Sequence, residues 1–268
     1  MAIQINTSFA FETEQLTDAL LQFEAAALPE QRIVSAKTGL GEAEHVARVA
    51  AQDDIGERIW IRSKGHFEVS YEAVVEPQRI TSDMTSLSAL DPHDLPGEAV
   101  QYLLDSRYCH ADRFQNFVSS EFGGTSGGER IAAISAWLDQ HFTYSPGASN
   151  PSTTAIDSMI AREGICRDYS HVLITLARAS TIPARYVACY APGVSPPDFH
   201  AVAEVFLADP GRADGGAWQI VDATGMADPS KTAKIGVGRD AADVSFLTTF
   251  GPNRFLNSSV TVSDSDAN

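Results

Sequence analysis

A helical pattern followed by three strand patterns fills residues 164–222 and indicates the class of fold. Apolar residues recur every three or four positions from Arg167 to Ser180, which predicts an amphipathic helix. Pro183 prevents this helix from continuing. Strand patterns follow at 185–190, 200–207 and 218–222. A helix followed by three strands predicts an antiparallel sheet packed on helices, which is an α+β fold.

The first 80 residues are rich in alternating apolar and polar residues, and we predict that they form a small β-sandwich domain. The clearest alternation is at 67–72, which reads FEVSYE. Residues 14–28 interrupt these strand patterns, and their composition fits a helix or a loop equally well.

The rest of the chain divides into three segments by composition. Residues 81–125 are rich in Ser, Asp and Pro, which predicts a linker with short helices. Residues 126–258 contain the helix and strand patterns of the predicted core. Residues 259–268 are polar and are predicted to be a disordered tail.

Two more helices are predicted at the start of the core. Ser126 and Glu129 have the spacing of a capping box, in which the two side chains satisfy free backbone N–H groups. An amphipathic run follows, so we predict a helix over about 127–141. A shorter helix is predicted at 154–162, before Gly164.

The charge of the chain excludes some classes of partner. The formal net charge is −16 and the pI is about 4.7. Nucleic-acid backbones and anionic membranes attract clustered Lys and Arg, and the sequence has no such cluster. We therefore predict neither a nucleic-acid nor a membrane partner. The N-terminus has no signal-peptide pattern and no apolar run reaches about 20 residues, so a cytoplasmic location is expected. The sequence does not predict an oligomeric state.

Three cysteines are too few, and odd in number, for a disulfide framework in a chain of 268 residues. Cys166 differs from the other two because it lies at the first turn of the predicted helix. Cys189 lies within a predicted strand, and Cys109 has no helix start beside it. We predict that these last two are small structural residues.

Cys166, His200 and Asp222 have the residue types and positions of a nucleophilic cysteine site. A cysteine attacks as the thiolate, whose unperturbed pKa is about 8.5, so it needs assistance at neutral pH. A helix N-terminus and an imidazole both favour the thiolate, and a carboxylate orients the imidazole. His200 begins one predicted strand and Asp222 ends the next, so an antiparallel pairing can bring them together.

Other polar residues near this site have simpler interpretations. His171 lies one turn beyond Cys166 and is expected to be a core or supporting residue. Asp168 fits the role of an acidic residue in the first turn of a helix. Because the sequence contains no Cys-x-x-Cys, His-Glu-x-x-His or Gly-x-x-x-x-Gly-Lys motif, we predict no metal and no cofactor. Calcium dependence is not predicted in either direction.

The residues around these positions resemble bacterial transglutaminase-like proteins, which are often described as cysteine proteases. Residues 164–171 (GICRDYSH) and 182–187 (IPARYV) resemble the cysteine segment of that family. Residues 198–205 and 218–224 resemble its histidine and aspartate segments. The resemblance is specific over about 100–245, and the first 80 residues are similar mainly in their β-rich pattern.

This resemblance implies a papain-like α+β core with a Cys166–His200–Asp222 triad, preceded by a β domain. Two positions depart from the family pattern. Val202 replaces a frequent tryptophan, and Ala223 replaces a frequent proline. Both positions lie close to triad residues, so the shape of the site is expected to differ.

The predicted activity is hydrolysis of an amide or peptide bond through a thioester, with a peptide or protein as the substrate. Acyl transfer from glutamine to an amine is the alternative, since an amine can replace water as the second reactant. A binding or scaffold module without catalysis is the other alternative. An intact set of triad residue types favours an enzyme.

Overall fold

The computed structural model describes residues 2–79, 81–209, 211 and 215–265, and it contains two large sheets and five helices within these residues. The helices are α1 (Gly97–Val100), α2 (Gln115–Phe122), α3 (Gly127–His141), α4 (Ala155–Ala161) and α5 (Cys166–Ala179). The first strands are β1 (Ile3–Leu21), β2 (Gln31–Leu40), β3 (His45–Ala50), β4 (Glu57–Pro77), β5 (Thr143–Tyr144) and β6 (Glu163–Gly164). The remaining strands are β7 (Ala184–Tyr190), β8 (His200–Ala208), β9 (Gly216–Val221), β10 (Ala233–Gly238), β11 (Leu247–Thr249) and β12 (Arg254–Asp264).

The four N-terminal strands form one six-stranded antiparallel sheet together with β11 and β12, and we call it the N-terminal sheet. Its order is β11-β1-β4-β2, with β12 also paired to β1 and β3 also paired to β4. The expectation of a helix or loop at 14–28 is wrong for the first part of that segment. Residues 17–21 pair with 59–63 of β4 after a register shift, so that β1 bends and continues as a strand.

The prediction of a disordered tail at 259–268 is wrong for the residues that the structure describes. Strand β12 pairs with β1 from Asp264 back to Arg254, because β1 offers a long row of backbone groups to complete the ladder. Val260 is buried on the inner face of this strand. Residues 266–268 lie outside the described residues. Both ends of the chain therefore build the N-terminal sheet, which the division at residue 80 did not predict.

The core has a second antiparallel sheet, in the order β10-β7-β8-β9. One of its faces packs against α5, whose residues from Asp168 to Arg178 are all buried. The N-terminal sheet packs against the core sheet through an apolar cluster that includes Tyr190, Ala233 and Ile235. This arrangement is the predicted α+β fold, with the core sheet between helices and a second β layer.

Helix α3 has the predicted bounds, although its start is stabilised differently. Ser126 occupies the N-cap position but its side chain makes no capping hydrogen bond. The following glycines instead allow residues 84–89 to pack directly against the helix start. A Cβ on Gly128 would lie 1.7 Å from the backbone oxygen of Met84, and the N–H of Gly128 donates to Leu87 O at 2.9 Å.

Among the described residues, no helix is both long and apolar enough to span a membrane.

Candidate active site

Cys166 is the first residue of α5, as the sequence predicts. The buried carboxylate of Asp168 stabilises this helix start. It accepts hydrogen bonds from the N–H of Ile165 at 2.8 Å and from Ser149 Oγ at 2.9 Å. Gly164 is required here, because a Cβ at this position would lie 2.6 Å from the Cβ of Asp168. The local sequence thus places the thiol at the positive end of a fully packed helix.

His200 and Asp222 meet at neighbouring strand ends. His200 begins β8 and Asp222 follows the last residue of β9, and the register pairs Ala203 with Val221. His200 Nε2 lies 3.0 Å from Asp222 Oδ2, and both side chains are almost completely buried. The antiparallel pairing therefore brings these two predicted residues into contact.

Asp222 is held by a turn that follows β9. Its Oδ1 accepts from the N–H and Oγ1 of Thr224, at 2.9 and 2.7 Å, and its Oδ2 accepts from Ala227 N at 2.7 Å. Burial raises the pKa of this carboxyl, but the hydrogen bond with His200 and these other donors outweigh burial and lower it. Asp222 is therefore a fixed anion beside the imidazole.

The second imidazole nitrogen of His200, Nδ1, is buried and is not bonded to Asp222. Among the described residues, Cys166 is the other side chain that forms a favourable interaction with this ring. Burial lowers the pKa of His200, while Asp222 and the neighbouring Cys166 side chain raise it more, to about 9. The geometry thus assigns Nε2 to the carboxylate, and it leaves Nδ1 as the nitrogen able to exchange a proton with the thiol.

Cys166 and His200 line a common cleft with a volume of about 660 Å³. The walls come from both parts of the molecule. Gln22, Leu247 and Thr248 belong to the region of the N-terminal sheet, whereas the loop 144–151 and the loop 194–199 belong to the core. A ligand that fills this cleft would touch both layers of the fold.

Tyr144 is a residue of this cleft that sequence reasoning missed. The backbone N–H of Cys166 lies within hydrogen-bonding reach of its hydroxyl. Burial is the main cause that raises the pKa of Tyr144 to about 12, so the phenol keeps its proton and remains a donor. The only sequence signal was an aromatic residue in the loop that leads to the cysteine helix, and such residues are common.

The other two cysteines are structural. Cys109 and Cys189 have no exposed surface, whereas Cys166 is partly exposed. Burial raises the pKa of Cys109 to about 12 and the pKa of Cys189 well above its usual value. These thiols are therefore poor nucleophiles.

His171 supports the cleft from behind. It is fully buried, it stacks on Tyr108 with ring centroids 5.1 Å apart, and its Nε2 accepts from the N–H of Ala241 at 3.1 Å. Burial lowers the pKa of His171 well below its usual value, so the ring is neutral. It therefore holds the loop that contains Ala241, which is part of the cleft wall.

One group of three close potential metal ligands is present in the part of the chain that the structure describes. It consists of Asp91, His93 and Asp94, all exposed and none of them part of the cleft.

Comparisons with known proteins agree with this fold. The sequence pattern of the transglutaminase-like superfamily matches residues 115–223. The crystal structure of a protein from Cytophaga hutchinsonii, which is provisionally named a cysteine protease, is similar to this one. The match covers 100% of this chain and 92% of the Cytophaga chain, with 29% sequence identity and a TM-score of 0.88.

Uncharacterized mycobacterial proteins are also similar. One from Mycobacterium tuberculosis is 31% identical over 128 residues, which is 43% of this chain and 40% of the relative. One from Mycobacterium leprae is 26% identical over 122 residues, or 44% of this chain and 42% of the relative. The chain thus matches about two fifths of the length of these relatives.

The fold and the cleft define a thiol-containing, transglutaminase-like core. Residues 115–223 match the sequence pattern of the transglutaminase-like superfamily, a class that includes cysteine proteases and transglutaminases.

Proposed function

We propose that this protein is a thiol-dependent amide or peptide hydrolase that acts through Cys166, His200 and Asp222. One observation supports the proposal most strongly. Nε2 of the His200 imidazole is bound to Asp222, and the other neighbour that interacts with the ring is the side chain of Cys166, which lies at a helix start in the same cleft. This arrangement leaves the second ring nitrogen available to exchange a proton with the thiol. The provisional name of the Cytophaga hutchinsonii protein is in line with this activity.

In the proposed mechanism, Nδ1 of His200 takes the thiol proton of Cys166, and the thiolate attacks the amide carbonyl carbon. The resulting imidazolium is stabilised by Asp222. It then donates its proton to the nitrogen of the leaving amine as the C–N bond breaks. A thioester remains on Cys166. Water, deprotonated by His200, attacks this thioester and releases the acid, and the proton returns to the thiol.

The negative oxygen that forms during attack needs hydrogen-bond donors. The backbone N–H of Cys166 and the hydroxyl of Tyr144 are close together at the helix start. A substrate oxygen that takes the place of the phenol beside this N–H would accept one hydrogen bond from the N–H and one from the hydroxyl of Tyr144. Such donors typically contribute about 10²- to 10³-fold in rate.

Product analysis with a glutamine peptide and a labelled amine tests the proposal. We expect release of ammonia with little amine incorporation, and we expect the reaction to be lost in His200→Ala. Stable incorporation of the amine that depends on Cys166 would instead identify a transglutaminase.

Alkylation by iodoacetamide near pH 6 tests for a non-catalytic scaffold. We expect Cys166 to react much faster than Cys109 and Cys189, and we expect His200→Ala to slow it. Equal, slow labelling of all three cysteines would contradict the enzymatic proposal.

A further inference from the structure

The cleft contains three charged side chains besides the imidazole, and they differ in their partners. Arg167 donates to the backbone oxygens of Asn150 and Thr153, at 2.6 and 3.1 Å. The guanidinium of Arg107 lies 5.1 Å from the centre of the Tyr108 ring. Asp198 has no cationic partner among the residues that the structure describes. Its one hydrogen bond is from the N–H of the next residue to Oδ1, at 2.8 Å, so Oδ2 is free.

Asp198 lies close to the reacting groups. It precedes His200 by two residues and lines the same cleft as Cys166. Its charge also acts on the hydroxyl of Tyr144, which lies within hydrogen-bonding reach of the backbone N–H of Cys166. Although Asp198 is an exposed residue, partial desolvation of its carboxyl raises its pKa. A carboxylate in this position costs free energy that a bound cation would recover.

The surroundings of Asp198 suit a side chain with an apolar stem. Val194, Pro196 and Phe199 line the same cleft wall. Phe199 stacks on Phe246 with ring centroids 4.7 Å apart and an interplanar angle of 9°, which gives this wall a rigid apolar surface. Lysine and arginine side chains pack their methylene groups on such surfaces and keep the charged end near an acid.

We infer that Asp198 determines specificity by binding the ammonium or guanidinium group of a basic residue beside the scissile amide. This inference rests on the proposed function of the same site. The net charge of −16 acts in the same direction, because it raises the local concentration of cations. The substrate class is therefore a peptide or protein segment that contains lysine or arginine.

Charged thiol reagents test this inference without a substrate. In each reaction the thiolate of Cys166 attacks the sulfenyl sulfur of an alkyl methanethiosulfonate, a disulfide forms and methanesulfinate leaves. We would compare the rate constants of an aminoethyl reagent and a sulfonatoethyl reagent, at about 0.15 M salt to screen distant charges. Relative to a free thiol, Cys166 should favour the cationic reagent by about tenfold or more.

Substitution of the carboxylate should remove this preference. We expect Asp198→Asn to lower the ratio of cationic to anionic rate constants about tenfold. The matched control is Asp91→Asn, which makes the same change of net charge at an exposed position outside the cleft. It should change the ratio by less than about twofold. If Asp198→Asn does not fold, the same comparison is made with Asp198→Ser, and a ratio in this variant equal to that of the wild-type protein overturns the inference.

Peptide substrates provide the second test. Two peptides are compared that differ only at one position, which is lysine in the first and norleucine in the second. The ratio is the kcat/KM of the lysine peptide divided by that of the norleucine peptide, and Asp198→Asn should reduce it about tenfold, towards one. Equal ratios in wild type and variant would overturn the inference while leaving the proposed activity intact. If the wild-type protein shows neither hydrolysis nor fast labelling of Cys166, the proposed function itself is contradicted.

Discussion

Strand β8 carries two buried ionisable residues on one face, His200 and Glu204. They differ in how fully their charges are paired with opposite charges. Glu204 lies between two cations. Arg185 Nε donates to its Oε2 at 2.8 Å, and Lys234 forms an ion pair with its Oε1. Burial raises the pKa of Glu204, but Lys234 and Arg185 outweigh it and lower the pKa to about 2. His200 is bound to Asp222 through Nε2, and its other favourable neighbour is the thiol of Cys166, which lines the open cleft.

This difference separates a structural charge cluster from a reactive one. The cluster around Glu204 extends to Asp53 and Glu30, which precede the core in the chain, so it ties the N-terminal region to the core sheet. Every charge in it meets an opposite charge, and none of these residues lines the cleft. His200 instead lines the cleft together with the partly exposed Cys166. Four positions along β8 thus separate the fully paired cluster around Glu204 from the pair of His200 and Asp222 at the cleft.

Removal of the nucleophile should have the largest effect on activity and little effect on stability. We expect Cys166→Ala to lower the hydrolysis rate by about 10⁴-fold, which corresponds to about 5 kcal/mol. The free energy of unfolding should change by less than about 1 kcal/mol, because Cys166 is partly exposed and small. Rate assays and urea unfolding of the same preparation measure the two quantities. A large loss of stability would mean that Cys166 also has a structural role.

Removal of the charge of Glu204 should have the opposite pattern. Glu204→Gln removes the fully buried carboxylate between Arg185 and Lys234 and leaves each of these buried cations with only a more exposed acidic partner, so we expect a loss of about 3–5 kcal/mol in the free energy of unfolding. Activity per folded molecule should be nearly unchanged. The matched control is Glu76→Gln, which breaks the surface pair with Arg32 and should cost less than about 1 kcal/mol.

The pH dependence of this loss provides a further check. Because the folded pKa of Glu204 is depressed to about 2, its contribution is complete above the unfolded value of about 4.5. It is lost as the pH falls towards 2. The stability difference between wild type and Glu204→Gln should therefore shrink over this interval. A constant difference would show that the lost stability does not come from the charge.

The smallest effect expected is a shift in the alkaline limit of activity. The pKa of His200 is raised to about 9, so the imidazolium that protonates the leaving amine is present below that pH. We expect kcat/KM to fall as the pH rises through about 9, by about tenfold per unit beyond it. Asp222→Asn should lower the pH at which kcat/KM falls, whereas Glu204→Gln should leave that pH unchanged. A pH unaffected by Asp222→Asn would contradict the assignment of His200.

Local patterns were sufficient to predict several parts of the site. The helical period and Pro183 predicted α5 and the position of Cys166, because a helix start depends on nearby residues. Alternation predicted that His200 begins a strand. The tail at 259–264 was predicted wrongly, because its strand forms by pairing with β1 about 250 residues earlier in the chain. No local pattern contains that partner.

The sequence by itself determined which elements the cysteine, histidine and aspartate occupy, because helix and strand periodicity are local properties of the chain. Only the tertiary structure decided which nitrogen of His200 binds Asp222, that Tyr144 lies beside the helix start, and that Asp198 has no cationic partner among the described residues. Those features depend on which distant side chains approach within a few ångströms. Such distances result from sheet register and layer packing, which act between residues far apart in the sequence.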